Sequence, residues 1–130
     1  MTDNAATWVI AGLMVLGALV FATFWITWFR QAHDQAWLPA GYRDHETPFV
    51  FSDTVLALLL VATAVLLVLE EPLGESLALV AGGMLVFLGI LDAAYFWRTG
   101  MFAPAHEGVA NLAIVLAALA GGVFLIFRFA

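Results

Sequence analysis

Residues 54 to 91 read TVLALLLVATAVLLVLEEPLGESLALVAGGMLVFLGIL, two long apolar runs interrupted only by Glu70, Glu71 and Glu75 around Pro72-Leu73-Gly74. About 20 apolar residues are needed for a helix to cross the ~30 Å hydrocarbon core of a bilayer. In lipid a helix is also one of the few forms that satisfies every backbone polar group within its own segment. Proline and glycine end one helix and allow a tight turn, while Glu75 and Ser76 offer acidic and capping groups where the next begins. The stretch therefore predicts a transmembrane helical hairpin, two antiparallel neighbours over about 49 to 69 and 76 to 97.

The same reading extends to both sides. Asn4 to Phe29 contains no acidic or basic residue, and neither does Gly108 to Phe127. They add spans over about 7 to 29 and 108 to 127. The expectation is an all-α protein, a four-helix transmembrane bundle formed as one membrane domain by residues 1 to 130. Composition agrees, since 65% of residues are hydrophobic and 11% charged and the mean hydropathy is +1.04, far from the balance of a water-soluble domain. Met1-Thr2-Asp3-Asn4 carries no positive charge, and the apolar run behind it is too long for a signal-peptide core, so the first span is read as retained.

Composition also removes reaction classes. With no cysteine there is no disulfide, thiolate metal site or cysteine nucleophile. All four cations are arginine, which excludes lysine Schiff bases and the lysine-dependent phosphate loop. A formal charge of −6 argues against nucleic acid and against a basic patch on anionic lipid. No glycine-rich phosphate loop, nucleophile elbow or dinucleotide fingerprint occurs. Gly82-Gly83 lies in mid-span, where it reads as helix packing, and Ala78 with Gly82, Ala117 with Gly121 and Ala118 with Gly122 are small pairs four apart that let helices approach closely, within one chain or in a homo-oligomer.

Four spans place both termini and the 70 to 75 turn on one side and the 30 to 48 and 98 to 107 loops on the other, the loop side. Arg30, Arg43 and Arg98 fall there, against Arg128 at the other side. The positive-inside rule then predicts loops facing the cytoplasm and external termini, in a plasma or inner membrane.

The polar residues also gather on the loop side. Asp53 is followed, and Asp92 preceded, by 16 uncharged residues, about 24 Å of helix at ~1.5 Å per residue. Both carboxylates should thus lie about a turn inside the loop-side interface, on antiparallel neighbours. Ser52-Asp53-Thr54 can also be read as an N-cap. Asp92 has no such reading, because it lies near the C-terminal end of its helix, where the dipole disfavours an anion. An acid within the membrane is a functional candidate.

Arg30 is a candidate ion-pair partner for Asp92, and Tyr95 a hydrogen-bond donor, while Arg98 points about 120° away on an ideal helix. Glu107 and Asn111, four apart, place a carboxylate and an amide on one face of span four. Thr23, Thr27, Arg30 and Asp34 would form a polar stripe if the first helix continued past the bilayer. Together these residues suggest a proton-, ion- or small-ligand-binding site of Asp53, Asp92, Tyr95, Glu107, Asn111 and Arg30. Interhelical hydrogen-bond glue would give the same pattern.

His33, His45 and His106 all fall on the loop side, each beside an acid, as in His33-Asp34 and His106-Glu107. Imidazole and carboxylate together suit a divalent metal such as zinc or iron, although no His-Glu-x-x-His or Glu-x-x-His motif is present. Trp25, Trp28, Trp37 and Trp97 share this side, as an interfacial belt or as rings on which a quinone could stack. Three functions follow: a proton- or cation-coupled transporter with a polar site at one membrane face, a metal-dependent membrane enzyme acting on a lipid or quinone, and an accessory subunit of a larger membrane complex.

Overall fold

The computed structural model describes residues 3–130, and these are helical along most of their length. α1 runs Asp3–Arg30, α2 Tyr42–Glu46, α3 Phe49–Val68, α4 Pro72–Thr99 and α5 Gly108–Phe129, with a 3₁₀ turn at Pro104–His106. Four of these helices are long and apolar enough to cross a membrane. The chain is an all-α, four-helix integral membrane protein, as the hydropathy pattern requires.

At three helix ends the structure adds to or departs from the sequence reading, each time for a local reason. α4 begins at Pro72 rather than near Ser76, with Glu71 extended at the N-cap and no side-chain capping bond. Proline is preorganised for the first helical position, where its missing N–H costs nothing. Glu75 and Ser76 thus lie inside the first turns. α1 stops at Arg30, so Asp34 does not extend a stripe along it. His33, at φ 54, turns back and its Nε2 lies 2.7 Å from the Trp28 carbonyl, satisfying a carbonyl of the last turn.

The third difference is between α2 and α3. Thr47 and Pro48 both keep right-handed helical angles, φ −53 and ψ −43 for the first and φ −61 and ψ −25 for the second. Pro48 removes a hydrogen bond without ending the helical path. Residues 42 to 68 therefore continue one helical course, and residues seven apart across Pro48 share a face.

The long helices pack in chain order, α1 on α3, α3 on α4 and α4 on α5, with no other pair of them in close backbone contact among the described residues. The bundle is an open row. Its core joins Ile10, Met14 and Ala18 of α1 to Leu56, Leu60 and Ala64 of α3, and these to Ala78, Ala81 and Leu88 of α4 and Leu125 of α5. The closest crossing is between α4 and α5, where a Cβ on Gly122 would stand 2.6 Å from the Gly82 carbonyl oxygen. Only glycine permits that approach. The Ala78/Gly82 and Ala118/Gly122 pairs thus form a seam within the chain, whereas Ala117 is exposed. Large apolar side chains such as Phe51, Leu58, Phe87 and Phe127 point outward, as lipid solvation requires and water would not allow.

Candidate functional site

The polar residues of the loop-side end divide into an acidic group between α1, α3 and α4 and a separate group beneath the 100 to 107 loop. The first is built on the continuous course of α2 and α3. Glu46 and Asp53 are seven residues apart on it and both are buried, at 8% and 7% exposure. Leu56, Leu60 and Leu67 continue the buried face below them. From α4, Asp92 comes within electrostatic reach of both Asp53 and Glu46, three carboxylates from three helical segments.

Asp53 is not an N-cap. It lies a full turn inside α3, whose start carries no side-chain capping bond. Its carboxylate accepts a hydrogen bond instead from Nε1 of Trp25 on α1 at 2.8 Å. Trp25 is buried, so this ring is a ligand of the acid rather than part of an interfacial belt. Antiparallel packing of α1 on α3 brings the two together across 28 residues of sequence.

No arginine neutralises the group. Arg30 and Arg98 are exposed, and among the described residues the only contact at ion-pair distance is His45 Nε2 to Glu46 Oε1 at 4.0 Å. The expected Arg30 to Asp92 pair does not form: Arg30 ends α1 on its exposed face. Thr27, below it, spends its hydroxyl on the carbonyls of Thr23 and Phe24, the usual local bond of a helical threonine.

Tyr95 stands one turn beyond Asp92 and its ring stacks on His45, with centroids 3.7 Å apart and planes 7° from parallel. The Tyr95 hydroxyl oxygen is buried and has no hydrogen-bond partner among the described residues. It lies near enough to Glu46 to feel that charge. Beside this group Trp28 donates from Nε1 to the Tyr42 hydroxyl at 3.2 Å, and the Arg43 guanidinium lies 5.7 Å over the Trp28 ring.

Asn111 belongs elsewhere. Its amide donates to the carbonyls of Met101 at 2.8 Å and His106 at 3.3 Å, tying the 100 to 107 loop to the start of α5. Glu107 is exposed and caps α5 in a left-handed conformation, φ 61, so neither residue joins the acids of α3 and α4. A buried amide facing two carbonyls meets its hydrogen-bonding needs locally.

The three histidines also go to different places. His33 serves the end of α1, His45 stacks on Tyr95, and His106 stacks on Trp37 at 4.9 Å with its Nδ1 3.0 Å from the Gly100 carbonyl. Among the described residues no group of three or more His, Asp or Glu side chains is arranged to hold a metal ion. Trp97 is 79% exposed and takes no part in a stacking site.

Glu46 and Trp25 are the two residues that sequence reasoning missed as members of the site. The spacing of Tyr42, Glu46, Phe49 and Asp53 by four, three and four is the available signal for Glu46, which the sequence reading leaves in the 30 to 48 loop. Comparison with protein-family models, curated proteins and solved structures finds no match for this chain.

Proposed function

We propose that this integral membrane protein binds a proton or another small cation between its helices at one membrane face, in the Glu46, Asp53 and Asp92 group, as the coupling site of a cation-linked carrier. One observation carries the reading: three carboxylates from α2, α3 and α4 lie within electrostatic reach of one another, two of them buried, and among the described residues no arginine pairs with any of them. Charge in a low-dielectric setting has to be compensated by a partner or a proton. Here the partner is a mobile cation. The excess of arginine on the loop side supports a cytoplasmic mouth for this site.

Infrared difference spectroscopy of the protein in lipid nanodiscs tests this, comparing acidic with alkaline buffer and sodium with a bulky organic cation. Wild type should show cation- or proton-dependent carboxyl bands that vanish in the E46Q/D53N/D92N variant. Identical difference spectra for the two proteins would overturn the proposal. Flux into proteoliposomes, lost in the same variant, is the accompanying expectation for a carrier.

The accessory-subunit reading keeps one observation in its favour: α1 and α5 each pack on a single long helix, leaving the two ends of the row open to a neighbour. Recovery of a second polypeptide in constant stoichiometry after mild-detergent purification would favour it.

A further inference from the structure

We infer that the species exchanged at this site is the proton, and that it passes between the loop-side water and the carboxylates through His45, with the Tyr95 hydroxyl holding a bridging water beside Glu46. The inference rests on the cation-site reading above and narrows it. Two arrangements point away from a directly ligated metal and towards a proton. The carboxylates come within electrostatic reach of one another without forming a metal-ligating set. The Tyr95 hydroxyl, near enough to Glu46 to feel its charge, has its oxygen buried and unpartnered among the described residues, and a buried polar atom of this kind calls for a water molecule that the protein atoms do not replace.

The way in is equally specific. The ionisable groups facing Glu46 are His45 and Tyr42 from its own segment, Asp53 from α3, and Asp92 and Tyr95 from α4. Of these only His45 is exposed, its side chain 39% accessible against 10% for Glu46. The imidazole lies flat against the Tyr95 ring, with Nε2 4.0 Å from Glu46 Oε1. A neutral ring accepts a proton from water at one nitrogen and releases the proton on the other towards the glutamate, ending neutral in the opposite tautomer, and exchange with water, one nitrogen losing a proton as the other gains one, restores the first. One proton enters and one leaves the ring, so charge is conserved. Glu46 then passes the proton through the bridging water to Asp92, with Asp53 steadied by Trp25.

The test is a pH jump on the protein in nanodiscs, with the carboxyl bands of the cluster followed in time by infrared spectroscopy. His45→Phe keeps a flat ring on Tyr95 and removes the relay. Tyr95→Phe keeps the stack and removes the hydroxyl. Each should leave the extent of the carboxyl change as in wild type and slow its approach by about a hundredfold, the low end of what a positioned acid–base group contributes. Imidazole in the buffer should restore the rate of His45→Phe and leave that of Tyr95→Phe slow. Wild-type rates in both variants at full extent would overturn the relay while leaving the cation site intact. Absence of any cluster band change in wild type would instead sink the site itself, and the relay with it.

Discussion

Two clusters of three acids lie at opposite ends of this bundle and behave as different chemistry. At the turn between α3 and α4, Glu70, Glu71 and Glu75 are all exposed. At the loop-side end, Glu46 and Asp53 are buried and Asp92 half-buried. The turn acids sit around the start of α4, where the helix dipole favours anions and water screens their repulsion. The loop-side acids are placed differently, since Asp92 is near the wrong end of its helix and little water reaches Glu46 or Asp53. The number of acids is the same; position relative to the membrane and to the helix ends makes one group ordinary and the other a candidate site.

The contrast is most readily broken through the packing that holds α4 in place. Gly122→Val would push a branched side chain into the Gly82 carbonyl and should destabilise the fold by at least the ~1–3 kcal/mol typical of overpacking, read from denaturant unfolding in detergent. Gly83→Ala, with open space around it, should instead be neutral or gain up to about 1 kcal/mol from helix propensity.

A more selective break is Asp53→Leu, which leaves the buried Trp25 indole N–H without its acceptor. It should cost about 1–3 kcal/mol, whereas Asp53→Asn retains an oxygen for that bond and should cost less. Asn111→Leu removes both anchors of the 100 to 107 loop and should cost about 1–2 kcal/mol. Faster amide exchange at Met101 to His106, with the carboxylate group undisturbed, would separate the two polar regions of the loop-side end. At the far end Glu75→Gln should change stability by no more than about 0.5 kcal/mol, because the side chain is exposed and makes no ion pair among the described residues. A large loss there would erase the distinction between the two clusters.

The fold was readable because lipid disfavours charge along the whole of a span, and runs such as 54 to 69 and 108 to 127 contain no acidic or basic residue. Two members of the proposed group were open to sequence reasoning for a related reason: counting uncharged residues from the turn places Asp53 and Asp92 at one depth on antiparallel helices. Glu46 was not, because a proline two residues on reads as a stop, and only the backbone angles at Thr47 and Pro48 show that the helical course continues. Trp25 resembled its interfacial neighbours in sequence, and its bond to Asp53 depends on the rotation of α1 against α3, which residue spacing within α1 does not set. Arg30 and Asn111 were misplaced by the same blindness to what faces a helix.

The Trp25 indole provides the most direct test that Glu46, Asp53 and Asp92 act as one site, since its N–H reports on the carboxylate it binds. With ¹⁵N-labelled tryptophan in nanodiscs and Trp25→Phe to assign the signal, the indole resonance is followed across pH. The expected result is a resonance that titrates, with a midpoint that moves in Asp92→Asn and in Glu46→Gln and stays in place in Glu75→Gln. A midpoint identical in all four proteins, or a resonance indifferent to pH, would contradict a coupled site and leave Asp53 as a structural acceptor alone.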